Sequence, residues 1–568
     1  MDYRLATLTV PPKTGRDEVT SETANSTNAS RRDLLLAGPV LMAGATIAGV
    51  AAAQPSAPPA AAAPTRPMLG GGAQGQIFWT VETTAGKVQG MANTGIKEFK
   101  GVPYGAPTGG RNRFMPPKKP VPWAGVKECF AHGQISPQTL PDLRGEYGMS
   151  IEWDQHTGGM GEDVLSLNIW TPGVNDEARR PVMVSFHGGG WTTGSGNAPG
   201  YDGAHLALFG NVVVVTVNHR LASFGYINLA DLGAPPEFAY AGVAGVMDMA
   251  ASLEWVRDNI ARFGGDPGKV FIFGQSGGGA KTTTMLANPA ATGLFHRAAV
   301  QSGSALKLQS REQGAQAAQA LLATLGMQKA NVADLQKLAW QDLLQAQSTT
   351  RASFSPVMDG RYLPHHPWDP AAPPESASVP IIVSTTLEDA ALALTNFDLD
   401  EAGLKAIAEA RWPGKSGDIL ALYRRLDSQK TPFAIQAQIF TDAGARRAAV
   451  TQAERKAAQG GAPAYMYLWY APLGGKFGAV HGLDVGAALK NDRADPLRKI
   501  MSDRLAAAWV AFAQSGDPNC ASIPRWEPYE AVARKTMVFD IDTRQESDPR
   551  GEARRFWDGM PMLAGLRG

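Results

Sequence analysis

From residue 77 onward, short apolar runs recur between turn-forming stretches: Pro181–Phe186, Val212–Val217, Val270–Phe273, Val379–Val383 and Tyr465–Trp469. None alternates apolar with polar, which suits strands buried on both faces, as in a mostly parallel sheet. Between the runs lie helical patterns. Met249, Leu253, Val256, Ile260 and Phe263 recur at steps of three and four and place one apolar stripe on a helix, which Gly264-Gly265-Asp266-Pro267 then stops. A late helix over Met501–Phe512 closes before Gly516-Asp517-Pro518. Strands alternating with helices predict an α/β fold, a large mostly parallel central sheet with helices on both faces. No 20- to 50-residue repeat and no internal linker interrupts the pattern, so 77–568 reads as a single domain.

The N-terminal part has another character. Arg31-Arg32 precedes Leu34-Leu35-Leu36 and a weakly apolar stretch that ends in Ala51-Ala52-Ala53. This has the form of a twin-arginine export signal over 1–53 with a small-residue cleavage site, and it implies a periplasmic or secreted protein. Pro39 and the Gly/Ala content make it a poor membrane-spanning helix, so no stable span is expected in the mature form. Residues 54–76, dominated by Ala, Pro and Gly, read as a flexible linker.

Composition narrows the function. Of 568 residues, 44% are hydrophobic and 18% charged, with a formal net charge of +1. No dense Lys/Arg cluster is present to neutralise phosphates, so nucleic acid is excluded as a partner. The two cysteines, Cys129 and Cys520, give no disulfide framework; two buried free thiols are expected, with one bridge between them as the alternative.

Gly274-Gln275-Ser276-Gly277-Gly278, directly behind the Val270–Phe273 run, carries the chemistry. A serine in a tight turn between a buried strand and a helix is a nucleophile elbow, with its hydroxyl exposed above the sheet. Gly274, Gly279, Lys281 and Thr282 also nearly spell a phosphate loop, but Ala280 stands where the lysine must be, and the ammonium would miss the phosphates.

A serine hydroxyl needs a positioned base, and in this kind of fold the order is Ser, then Asp or Glu, then His. Of nine histidines only His296, His365, His366 and His481 follow Ser276. His296 reads as a helix-end residue, and His365 and His366 lie in a proline-rich turn. His481, in a glycine-flanked loop beyond the Tyr465–Trp469 strand, is where ligand chemistry sits in open α/β sheets. Glu388 and Asp389 follow the Val379–Val383 strand, and either can serve as the acid while the other caps the next helix. His187-Gly188-Gly189-Gly190-Trp191, after the Pro181–Phe186 strand, fits a loop that supplies oxyanion-binding N–H groups, with Gly277 adding the next one.

In sequence order, Phe99–Tyr104, Arg113–Pro117, Glu162–Ile169, the His187 loop, Asn218–Leu221, Phe263–Pro267, the elbow and Gln301–Ser304 resemble the type-B carboxylesterases, the α/β-hydrolase family that includes cholinesterases. The resemblance covers roughly 77–556 and implies a serine carboxylesterase that hydrolyses small-molecule esters through an acyl-enzyme, without metal or cofactor. It also implies Ser276 as nucleophile, His481 as general base and acid, and Gly189, Gly190 and Gly277 as oxyanion donors. The second acidic residue, Asp389, takes the place of the acid, with Glu388 as alternative. Val164 and Ser136 stand where the family carries a disulfide, and Gln275 replaces a frequent glutamate, which removes a negative charge beside the site. A carbamate or amide hydrolase with the same triad, and a non-catalytic binding module on the same fold, are the alternative functions; the oligomeric state is open.

Overall fold

The computed structural model describes residues 75–140, 158–492 and 495–563. The expected export signal, and all of the expected linker but its last two residues, lie outside them.

Thirteen strands form one sheet among the described residues. They are β1 Phe78–Thr83, β2 Gly86–Asn93, β3 Ile96–Pro103, β4 Val126–Glu128, β5 Ser166–Thr171, β6 Arg180–Phe186, β7 Val213–Val217, β8 Gly265–Gln275, β9 Arg297–Gln301, β10 Ile381–Thr386, β11 Ala464–Trp469, β12 Lys535–Phe539 and β13 Arg544–Ser547. The spatial order is β1-β2-β3-β5-β7-β6-β8-β9-β10-β11-β12-β13, with β4 beside β2. From β7 through β12 every neighbouring pair is parallel. The flanks are antiparallel at β1/β2, β2/β3, β3/β5, β5/β7 and β12/β13, so a parallel centre carries antiparallel edges.

The uniform apolar runs have a direct physical reason. Successive side chains of a strand point to opposite faces, so a strand covered on both faces must be apolar at every position. In β8, Val270 and Ile272 join one core while Phe271 and Phe273 join the other. The first core contains Met249, Leu253, Val256, Ile260 and Phe263, the stripe read from sequence. Its helix spans Ala244–Asn259, and the last turn tightens to a 3-10 helix over Ile260–Phe263 that ends at left-handed Gly264. The second core contains Met501, Leu505, Trp509 and Phe512 from the helix Pro496–Ser515. Each fully buried Val, Ile or Phe here is worth about 1.5–3 kcal/mol relative to exposure. One helix directly before β8 and one late in the chain thus cover the two faces of this central strand.

Local chemistry sets the ends of the late helix. Asp495 accepts from the N–H groups of Leu497 and Arg498 at 2.8 and 3.1 Å, Pro496 fills the first turn, and left-handed Gly516 closes the helix. The strand expected over Val379–Val383 lies slightly later, at Ile381–Thr386. Pro380 has no N–H for a ladder, and it contributes only its carbonyl, which accepts from Ala298 N at 3.1 Å.

A third apolar cluster joins the helices Glu401–Arg411, Ser416–Leu426, Pro432–Ala443 and Gly551–Asp558 around Trp412, Tyr423 and Trp557. Cys129 and Cys520 are both free. Cys129 is buried, which pushes its thiol up to about 12, but Cys520 is only partly covered, contrary to the expectation of two buried thiols. It sits after the last turn of the long helix, where the chain runs along the edge of its core.

The Asn218–Leu221 segment holds a buried ion pair. Arg220 Nη2 and Nε reach the two carboxylate oxygens of Asp248 at 2.6 and 2.8 Å, and Nη1 reaches Met115 O at 2.7 Å. Asp248→Ala leaves this guanidinium buried and uncompensated, and a loss of about 3–5 kcal/mol in unfolding free energy is expected by denaturant titration. An Asp248→Ala variant as stable as the parent would contradict it.

Candidate active site

The parallel centre of the sheet delivers the expected residues to one edge. Ser276 follows β8, Ser302 follows β9, Asp389 follows β10 and His481 follows β11, four adjacent strands with their C-terminal ends on the same side. Open α/β sheets place ligands at this edge because only loops, not packed helices, occupy it.

Ser276 has φ 58° and ψ −122°, a backbone conformation that costs a non-glycine residue about 1–3 kcal/mol. Its N–H donates to Gln301 O at 2.8 Å, and its carbonyl accepts from Ala280 N at 3.0 Å as the helix Gly277–Met285 begins. Gly278 is required here: a Cβ on it would lie 2.0 Å from Phe186 O, the end of the neighbouring strand. The serine is half-buried and lines a cavity of about 830 Å³.

His481 and Asp389 are both buried, and His481 Nδ1 is hydrogen-bonded to Asp389 Oδ1. The other carboxylate oxygen accepts from Ser302 Oγ at 2.6 Å and Thr386 N at 3.1 Å. Asp389 is therefore oriented from both sides. Glu388 points elsewhere. Its carboxylate accepts from Lys430 Nζ at 2.9 Å, Gln438 Nε2 at 2.8 Å and Ala479 N at 2.8 Å, tying the turn to the helix Pro432–Ala443 and to the loop that carries His481. The expectation that one of the pair caps the following helix is not met. Glu388 precedes the short 3-10 helix Asp389–Ala393 but makes no side-chain cap bond to it, because its carboxylate is consumed by these three donors.

The glycine loop and the elbow touch. A Cβ on Gly277 would fall 2.3 Å from Gly190 N, so only glycine lets the two backbones meet. Gly189 and Gly190 have φ of 83° and 62°, and Gly190 lines the same cavity as Ser276 and Gly277. The Gly190 and Gly277 backbones thus meet at the wall of the cavity that holds Ser276, with Gly189 just outside that lining.

Lys281 sits beneath this loop. Its Nζ donates to His187 O at 2.7 Å and lies 6.0 Å from the Trp191 ring, and burial holds the ammonium well below its ordinary range. A lysine engaged in this way is not presented to a phosphate. The rings of His187 and His219 stack at 4.9 Å, and burial, with Lys281 nearby, keeps His219 well below the ordinary imidazole range. His296, expected at a helix end, instead pairs across strands: its N–H donates to Val270 O at 2.8 Å and its Nδ1 accepts from Val270 N at 3.2 Å. His365 faces Glu375 at 3.4 Å. Ser136 Oγ accepts from Leu221 N at 3.0 Å.

Two supporting groups have no role in the sequence reading. Ser302 holds Asp389; its signal was its position just past a strand, inside the Gln301–Ser304 segment. Asp484, three residues after His481, is fully buried and accepts from Tyr467 Oη at 2.5 Å, and burial raises its carboxyl. Tyr467 Oη in turn accepts from Gln301 Nε2 at 3.1 Å, so the residue whose carbonyl holds Ser276 is linked to the helix after His481.

Comparison with known proteins identifies the family. The Carboxylesterase family model matches residues 79–557. Para-nitrobenzyl esterase of Bacillus subtilis (strain 168) is 32% identical over 84% of this chain and 97% of its own length. Liver carboxylesterase of Sus scrofa is 29% identical over 88% and 94%. The crystal structure of a Geobacillus stearothermophilus carboxylesterase superposes with a TM-score of 0.73 at 31% identity, covering 84% of this chain and 99% of that one. The chain thus belongs to the carboxylesterase family, as a serine hydrolase of carboxylic esters on the α/β-hydrolase fold.

Proposed function

We propose that Ser276 attacks the ester carbonyl while His481 removes its proton, Asp389 holds the imidazolium, and the N–H groups of Gly189, Gly190 and Gly277 receive the oxyanion. With Nδ1 of His481 on the carboxylate, Nε2 is the nitrogen through which the proton passes to the leaving alcohol. Collapse expels the alcohol and leaves an acyl-Ser276; water, activated by the same histidine, then releases the acid. No step needs a metal or a cofactor.

The observation that carries this reading is the His481–Asp389 hydrogen bond on the same sheet edge as a serine held at positive φ. A binding module would have no use for a strained serine, an oriented histidine and a carboxylate fixed by two further donors. The substrate is a small ester, in keeping with relatives named as esterases. The Arg31-Arg32 pattern supports export by the twin-arginine route, to the periplasm or beyond. No helix among the described residues is long and apolar enough to cross a membrane.

A panel of matched ester, carbamate and amide substrates tests the reaction class. The ester is expected to turn over fastest, since an alkoxide leaves without the full protonation that an amine requires. Faster turnover of the carbamate or the amide would overturn the choice of ester.

A further inference from the structure

The cavity that opens on Ser276 is not electrically neutral. Its lining includes the apolar residues Trp191, Ala280, Leu306, Ala448, Met562 and Leu563. It also carries three cations, Lys307, Arg447 and Arg455, against one carboxylate, Asp369. Asp369 serves two of them, Lys307 at 3.2 Å and Arg455 at 3.1 Å. Arg447 is the third. It is half-buried, and its Nη1 and Nη2 donate only to backbone carbonyls, of Met560 at 2.6 Å and Asp558 at 3.5 Å; no carboxylate among the described residues pairs with it.

Arg447 stands in the first turn of the helix Ala445–Ala458, which starts without an acidic residue or a side-chain cap, and Gly444 and Ala445 line the same cavity. The positive end of that helix therefore adds to the guanidinium's field instead of opposing it. Gln275, buried next to Ser276, brings no negative charge to repel an anion. A cavity that holds the nucleophile, an apolar lining and an arginine with no carboxylate partner matches a ligand with an ester, an apolar part and an anion.

Resting on the role of Ser276 given above, we propose that the preferred substrates are esters that carry a second, ionised acidic group, a carboxylate above all, separated from the scissile carbonyl by an apolar spacer. Half-esters of dicarboxylic acids have this form. Arg447 is the specificity-determining residue: its planar fork binds a carboxylate by two parallel hydrogen bonds, which a lysine cannot reproduce.

The test uses mono-4-nitrophenyl adipate and its neutral methyl ester, which share the scissile bond and the spacer. Wild-type protein is expected to favour the charged ester by about tenfold in kcat/KM, mainly through KM, in line with a charge-assisted hydrogen bond. That preference should shrink as salt is raised. Arg447→Met should reduce the charged-to-neutral ratio by about tenfold, and Arg447→Lys by less. A wild-type preference for the neutral ester, or an Arg447→Met variant whose ratio is unchanged, would overturn the inference. Ser276-dependent cleavage without charge preference defeats this inference alone, whereas cleavage of both esters that persists in Ser276→Ala defeats the assignment of the nucleophile as well.

Discussion

Ser276→Ala is expected to lower kcat on a 4-nitrophenyl ester by about 10⁶-fold and to abolish labelling by a fluorophosphonate. The size of the effect follows from the chemistry. Without an oxygen at this position no acyl-enzyme forms, and only binding and the oxyanion donors remain to help water attack directly. The fold should survive, because the strained turn is held by backbone bonds, Ser276 N to Gln301 O and Ala280 N to Ser276 O, and by the contact of Gly278 with Phe186 O. Fluorophosphonate labelling retained at full stoichiometry in the alanine variant would contradict the assignment.

The second large effect separates two neighbouring acids. Asp389→Asn is expected to reduce kcat by on the order of 10⁴-fold with little change in KM. The amide occupies the same volume but cannot stabilise the imidazolium, and its NH2 can hold His481 Nδ1 in the wrong tautomer. Glu388→Gln should act differently. Its carboxylate meets Lys430, Gln438 and Ala479, none of which handles the reacting proton, so the expected result is a loss of about 1–3 kcal/mol in stability and a fall in kcat of about tenfold or less. If Glu388→Gln instead collapses kcat while Asp389→Asn is mild, the acid has been misplaced.

This pair also marks where sequence stops being informative. Adjacent residues at the end of a strand share every feature that spacing can report, and their side chains diverge only because one finds His481 and Ser302 while the other finds Lys430 and Gln438. Ser276 and His481 were readable for the opposite reason. A glycine-bracketed serine behind an apolar run is a local signature, and chain order removes most of the other histidines. The strands were readable because burial on both faces leaves an unbroken apolar run, as Val270–Phe273 shows by splitting between two cores.

What the chain order conceals is what comes together across long separations. Gly190 and Gly277 touch through backbones, and no periodicity signals that contact. The charged lining of the cavity is drawn from the segment after β9, from Asp369's turn and from the helix Ala445–Ala458, each with its own local logic. Arg447 looks like a surface arginine in a helical pattern until the fold sets it in the same cavity as Ser276. The phosphate-loop resemblance fails for a related reason: Lys281 folds inward, under the loop, to His187 O.

The central claim is that ester hydrolysis passes through an acyl group on Ser276. Rapid acid quench of the protein with excess 4-nitrophenyl ester, followed by digestion and mass spectrometry, tests it most directly. The account predicts one acyl addition per chain, on the peptide that contains Ser276 and on that residue, appearing with the first burst of nitrophenolate. An acyl group on another residue, or steady turnover with no acylated peptide when deacylation is slowed at low pH, would contradict it.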